Sequence, residues 1–410
     1  MKLGRALRHR NYRLFFAGQG TSLIGTWLTK FAMAYAAYEL SHDSFMLGVV
    51  AFASQAPTAV ISPIGGVLVD RWNRHRVLVV TQVLAMLQSA ALAAFAFAGA
   101  MTVWHLVALA AVQAVINGFD VPARHAFVRE MVDDPVDLPN AIALNSSLAT
   151  SARIVGPLIA AALVAAIGTG GCFALDAASY VAVVGSLLAM RVAPQPRRAT
   201  GGAILHELAD GLAYVRGIPL VRAVLLLLMA SATLAGGYVG LLPAIAQGTL
   251  GGGPHALGIL LGASGAGALT GALYLAGRTT VVGLELVIGR CALALGLALC
   301  AFEAITSLWL AVPVMFMLGA ALIMQAAATN TLLQATVDPA RLGRVMSLYA
   351  MVFFAGAPVG ALLEGALARS IGATHAFAAA GVCCVACALA FRRRAREPSD
   401  LERLSRSPTE

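Results

Sequence analysis

The sequence predicts an all-α integral membrane protein whose twelve transmembrane helices form two six-helix halves. Three observations carry that expectation. Of the 410 residues, 60% are apolar and only 11% are charged, against roughly 25% charged in ordinary soluble domains. The apolar residues gather into twelve runs, each long enough to cross about 30 Å of hydrocarbon as a helix. The bases are also sorted. Of the 28 Lys and Arg residues, 24 lie at the N-terminus, in alternate loops or in the C-terminal tail. A charge near the centre of a bilayer costs at least ~3 kcal/mol, so a chain meant for lipid keeps its charges in the loops.

In order, the runs cover roughly 13–38, 45–69, 77–99, 103–121, 141–167, 171–190, 219–246, 256–276, 281–302, 307–328, 344–368 and 373–391. Barrel strands would be about 10 residues of strict alternation, which no run displays. Basic loops mark the cytoplasmic side. Lys30, Arg153 and Arg290 fall deep inside runs, Arg222 and Arg344 fall at the basic-loop edges of theirs, and Arg369 alone falls on the opposite side. Both termini are therefore expected in the cytoplasm, with the chain multi-pass in a bacterial inner (plasma) membrane. The run from Leu14 is too long for a cleavable signal. Loops on the far side, such as Ser41–Ser44 and Gly168–Gly170, leave no exported domain.

Residues 1–190 form the expected N-terminal half, 191–218 a cytoplasmic linker, 219–391 the C-terminal half and 392–410 a disordered cytoplasmic tail. Within the linker, Ile204, Leu208, Leu212 and Val215 recur at helical spacing among polar residues, which predicts a helix lying on the membrane surface. The halves repeat one another. Leu47-Gly48-Val49 with Ala53-Ser54 recurs 210 residues later as Leu257-Gly258-Ile259 with Ala263-Ser264. Asp134-Pro135 recurs as Asp338-Pro339, and Pro157 as Pro358, at nearly the same offset. Internal repeats of this kind are common in transporters.

Several classes of function are excluded. The net charge of +9 sits in short loops rather than along one amphipathic face, so no nucleic acid is expected as a partner. No nucleophile–base set and no phosphate-binding glycine loop is present, so neither an enzyme nor an ATP-driven pump is expected. Cys384-x-x-Cys387 has metal-like spacing but lacks a second ligand pair. It is expected to be core filling, with no metal and no cofactor.

The stretch Gly65 to Arg76 joins two apolar runs through two glycines, an acid and a patch of bases. So short a loop between spans predicts an antiparallel helical hairpin turning in the cytoplasm. It resembles the loop between helices 2 and 3 of major facilitator superfamily transporters, whose signature reads Gly-x-x-x-Asp-Arg-x-Gly-Arg-Arg/Lys. Gly66, Asp70, Arg71 and Arg74 fill matching positions; Asn73 replaces the second glycine and His75 a base. Asn73 is expected to keep the bend in a left-handed conformation. Further likeness lies in Asp120 to Phe127, Leu138 to Ser146, Arg153 to Pro157, Asn330 to Gln334 and Gly343 to Ser347. Together these resemble a bacterial exporter branch that includes enterobactin exporters and proteins assigned as multidrug exporters. Arg341-Leu342-Gly343-Arg344 departs from that branch's Arg-Gly-Arg order.

The resemblance implies the major facilitator fold and a conformational latch on the cytoplasmic side, built from Gly66, Asp70, Arg71, Arg74, Asp120 and Arg344. Arg74 is expected to pair with Asp120. Gly156-Pro157 occupies the place of the family's antiporter motif, with Ala143, Ala152, Ala160 and Ala161 where the motif has glycines. Gly156, Pro157 and Pro358 are read as helix-bend positions. Ionisable residues at membrane depth face a cavity, pair, or relay protons. Lys30, Arg153, Asp176 and Glu364 are therefore the candidates for coupling or substrate binding, with pairing to Lys30 or Arg153 as the structural alternative for Asp176. Glu39 is read as interfacial. The resulting expectation is a monomeric secondary transporter moving a small amphiphilic molecule or drug outward in exchange for protons. Siderophore export is the first alternative, and a non-transporting membrane scaffold or sensor is the alternative of another class.

Overall fold

The computed structural model describes residues 4–132, 134–192, 204–278 and 280–394. Among them the regular structure is helical throughout, with no strand. A lipid-embedded backbone must satisfy its own polar groups, and helices do so within one segment. Ten stretches are long and apolar enough to cross a membrane. One of them, Pro135–Leu188, has 54 residues and is two spans joined at a bend. Helix α1 (Arg10–Ser41), 32 residues long, also has the length to cross but carries Gln19, Ser22, Thr29 and Lys30. Counting α1 and both limbs of the bent stretch gives the twelve crossings expected.

The first hairpins are set by local capping. Helix α2 (Ser44–Arg71) starts where the Asp43 side chain accepts from the Phe45 N–H at 2.9 Å. Helix α3 (Arg74–Phe97) starts where Asn73 accepts from the Arg76 N–H at 3.0 Å. Here the structure corrects the sequence reading. Asn73 has φ −72°, an extended conformation, so it bends the chain as an N-cap rather than through the left-handed region. Helix α4 (Val103–Phe127) opens with a capping box between Thr102 and His105.

Helix α5 (Leu138–Leu188) reverses at Gly168, where φ is +72°, a backbone angle glycine adopts without cost. The direction of each limb follows from α1. A Cβ at Gly20 would lie 3.7 Å from Leu148, and one at Gly156 would lie 2.6 Å from the Trp27 Cβ, so α1 and the first limb run parallel. Gly18 faces Val183 and Ser186 while Gly25 faces Asp176 and Ser179, so the second limb runs back. Small residues at these crossings let helices approach closely where no hydrophobic force drives them together.

Helix α6 (Ile204–Gly217) follows, and residues 193–203 of the expected linker lie outside the described residues. Next come α7 (Pro219–Leu234), α8 (Tyr238–Ala244), α9 (Gly253–Ala276), α10 (Leu284–Ala301), α11 (Leu308–Thr336), α12 (Pro339–Ile371) and α13 (Ala373–Arg394). Most of the expected tail, 395–410, lies outside the described residues. The run expected as one segment over 219–246 is broken between α7 and α8, and a π-helical turn over Ile245–Thr249 follows. The break has a packing cause. Gly237 lies so close to Gly360 and Ala361 of α12 that a side chain there would overlap the opposing backbone, and Gly236 faces the Ala357 methyl group.

Two compact units result. The first comprises Met1–Gly201 with Leu242–Gly262, the second Gly202–Leu241 with Ala263–Glu410. In the first, a core around Tyr12, Phe15, Leu78, Phe127, Met131 and Leu187 ties α1, α3, α4 and α5 together at one end. In the second, Val224, Ile288, Leu332 and Phe391 join α7, α10, α11 and α13.

Candidate functional site

The deepest polar cluster of the first unit surrounds Asp176. This residue is 1% exposed and sits on the returning limb of α5. Thr29 of α1 donates to Oδ2 at 2.6 Å, and Ser89 of α3 donates to the same oxygen at 2.8 Å. Ser89 also lies 3.2 Å from Oε1 of Gln88, whose amide donates to the Leu109 carbonyl at 3.1 Å. The second carboxylate oxygen, Oδ1, has no hydrogen-bond partner. It occupies the space that a side chain at Gly25 would fill. The alternative of an ion pair with Lys30 or Arg153 is not what forms: two hydroxyls from two other helices hold this carboxyl.

Glu364 of α12, in the second unit, is 4% exposed, and both of its carboxyl oxygens lack a partner. It lies one turn beyond Gly360, the residue on which α7 packs through Thr233. Nearby in the same unit, Gln325 of α11 donates to Ser231 of α7 at 3.0 Å, and the Tyr238 and Ser264 hydroxyls meet at 2.6 Å.

Lys30 and Arg153 are exposed. Neither is ion-paired to a carboxylate among the described residues. The Lys30 Nζ lies 5.2 Å from the centroid of the Trp27 ring, and that indole rests against Gly156. Pro157 is buried within the first limb of α5. Having no N–H, it leaves the carbonyl of Arg153, four residues earlier, without its helical donor. Pro358 lies inside α12 in the same way.

The charges of the Gly65–Arg76 hairpin pair differently from the expectation. Arg74 donates to Glu130 at 2.9 Å, while Asp120 is bound by Arg124, one turn along its own helix. Thr81 and Gln82 of α3 also donate to Asp120 at 2.9 and 2.7 Å, so its carboxylate is already claimed and Arg74 takes the nearer loop acid. Gly66 approaches Pro122 of α4. Arg71 is exposed, and the Asp70 side chain lies outside the described residues. In the second unit, Arg344 meets Asp210 of α6 at 3.3 Å, and Arg341 lies over the Tyr214 ring at 4.9 Å.

One cluster escaped the sequence reading. Asp137, fully buried at the start of α5, meets Arg5 at 3.0 Å, Arg8 at 2.7 Å and His9 at 3.0 Å. Asn140 accepts from the Ala6 N–H at 3.0 Å, and the Tyr12 hydroxyl donates to the Ala141 carbonyl at 2.8 Å. The short 3-10 helix Arg5–Arg8 is thereby strapped to the entrance of α5. The signal was an acid, Asp137, just ahead of an apolar run, with basic residues far off in the chain.

The backbone as a whole is similar to solved membrane transporters. A POT family transporter in complex with 5-aminolevulinic acid superposes with a TM-score of 0.74 at 12% identity, covering 94% of this chain and 96% of that one. An inward-facing bacterial homologue of the human lysosomal transporter Spinster gives 0.69 at 15% identity, covering 95% and 97%. The fold is thus that of these multi-helix membrane transporters. The model of the transmembrane secretion effector family, MFS_3, matches residues 5–408, and the chain belongs to that family. Among its relatives, an uncharacterized MFS-type transporter of Bacillus subtilis, YfiS, is 26% identical over 379 residues, 89% of this chain and 88% of that protein. Macrolide efflux protein A of Streptococcus pyogenes is 23% identical over 389 residues, 92% and 96%. A staphyloferrin A transporter of Staphylococcus aureus is 22% identical over 173 residues, 42% and 43%.

Proposed function

We propose that this chain is a proton-coupled efflux transporter that expels a small amphiphilic molecule by alternating access. It works as a monomer in the bacterial inner membrane, with both termini in the cytoplasm. The observation that carries the reading is Asp176: a carboxyl at membrane depth, held by two hydroxyls and no cation, with one oxygen unclaimed. Hydroxyl partners can serve either protonation state by rotating, whereas a salt bridge would pin the charge. Glu364 supplies a second carboxyl without partners. Outward transport is supported by the name of the macrolide efflux relative.

In this scheme Asp176 and Glu364 exchange protons, while Lys30 and Arg153 meet the substrate. Gly66, Asp70, Arg71, Arg74, Asp120 and Arg344 act as the latch, and Gly156, Pro157 and Pro358 let their helices bend. Siderophore export is the second reading, favoured by the staphyloferrin A relative and by two cations, Lys30 and Arg153, that are not ion-paired to a carboxylate among the described residues. The deciding measurement is substrate-dependent proton flux in proteoliposomes, for wild type, Asp176→Asn and Glu364→Gln. Efflux and proton coupling together require flux in wild type and its loss in at least the Asp176 variant. Uphill export with no proton movement would remove the coupling claim.

A further inference from the structure

Lys30 and Arg153 are not where lipid-facing cations belong. Lys30 lies 20 residues from the start of α1 and 11 from its end, so at 1.5 Å per residue even the nearer end is about 16 Å away. Arg153 stands 15 residues from either end of the first limb of α5, counted from Leu138 and Gly168, or about 22 Å. An arginine stem does not span its distance, so snorkelling to the interface is closed to Arg153, and the Lys30 ammonium lies over Trp27, one turn further from the nearer end of α1, rather than reaching outward. Pairing does not explain them either. Among the described residues neither is ion-paired to a carboxylate. Two exposed cations thus flank one indole: Lys30 lies over the Trp27 ring, and that ring rests on Gly156, one turn along α5 from Arg153.

Trp27 completes the arrangement. Gly156 has no side chain to push the indole away; a Cβ there would stand 2.6 and 2.7 Å from Trp27 Cβ and Cγ. The ring therefore lies flush on α5, one turn from Arg153 and directly under the Lys30 ammonium. An apolar plate with one cation over it and a second one turn along α5, neither ion-paired to a carboxylate among the described residues, suits a ligand that is apolar on one side and anionic on the other. Guanidinium offers forked donors to a carboxylate and ammonium a point charge.

We infer that Lys30, Arg153 and Trp27 form a binding site for the acidic group of the transported molecule, and that the substrate class is an amphiphilic organic anion, a carboxylate on an apolar or aromatic body. The inference rests on the export reading for the word transported; the site itself stands on the residues. It runs against a cationic, amine-bearing cargo, which these two charges repel.

The test uses two dyes of similar aromatic bulk and opposite charge: fluorescein, an aromatic carboxylate, and rhodamine 123, a cation. Binding to the purified full chain in neutral detergent is read by fluorescence anisotropy against detergent alone. Wild type is expected to bind fluorescein more tightly than rhodamine 123, and less tightly as salt rises. Lys30→Gln and Arg153→Gln should each weaken fluorescein about tenfold or more, which is the loss of one charge-assisted contact. Lys30→Arg should stay within about threefold, which separates charge from general damage. No fluorescein binding by wild type, a preference for rhodamine 123, or unchanged affinity in both Gln variants would each overturn the site. Proteoliposome transport distinguishes the two readings: fluorescein bound as expected but never moved under a proton gradient overturns export and leaves the site standing.

Discussion

Gly25 of α1 stands directly against the Asp176 carboxylate, so that a single methyl group at position 25 would overlap Oδ1 and press on the Ser179 hydroxyl at 2.6 Å. The glycine provides the space in which one carboxylate oxygen remains free. Gly25→Ala is therefore expected to overpack the interior. Cores overfilled by one or more methyl groups lose typically 1–3 kcal/mol. A lower melting temperature of the detergent-solubilised variant checks this, and Asp176→Asn in the same background should not restore it, because the amide has the same volume.

Thr29 and Ser89 place their hydroxyls on one oxygen of Asp176 from two different helices. Thr29→Val keeps the shape but removes a donor. Ser89 still donates to that oxygen, so the loss is one net hydrogen bond, about 0.5–1.5 kcal/mol. Combined with Asp176→Leu, the same Thr29→Val change should cost much less. A double-mutant cycle by thermal unfolding reads the difference, and additivity would show that the hydrogen bond contributes nothing.

The Asp137 anchor should be the most sensitive ionic cluster in the first unit, since its carboxylate is fully buried while Arg5 and Arg8 are half-exposed. Removing the acid takes from Arg5 its carboxylate and from Arg8 the shorter of two, Asp134 remaining at 3.6 Å; with both guanidinium groups half-exposed, the cost is the lost charge-assisted bonds, about 1–3 kcal/mol. Asp137→Ala is expected to release the N-terminal strap, and trypsin should then cut after Arg5, Arg8 or Arg10 much faster than in wild type. The exposed Arg344–Asp210 pair supplies the contrast: its coupling energy should fall within about 0–1 kcal/mol.

Two glycines of α12 should respond in opposite directions. Gly360 lies on the Thr233 carbonyl of α7, with no room for a methyl group, so Gly360→Ala must push the two helices apart and lower stability. Gly343, near the start of the same helix, has open space where a methyl group would go, with nothing within 4 Å. There alanine should gain up to about 1 kcal/mol of helix propensity. Thermal unfolding of the two variants side by side decides it; destabilisation of both by the same amount would contradict the packing argument.

Much of this protein was legible in its residues because the bilayer acts on composition. Whether a run crosses lipid depends on its own apolar length, and which loops stay in the cytoplasm depends on their own arginines. So the spans, the Gly65–Arg76 hairpin and the turn at Gly168 could be read without a fold. Partners could not. Arg74 found Glu130 rather than Asp120, because Arg124, Thr81 and Gln82 had already taken that carboxylate. Asp176 found hydroxyls 147 and 87 residues away, and Asp137 drew in the chain's first arginines. The break between α7 and α8 came from glycines pressed on another helix. Each of these outcomes depends on how helices rotate and how closely they pack, which every neighbour helps to set at once; lipid affinity is a property of a segment alone, while pairing belongs only to the assembled bundle.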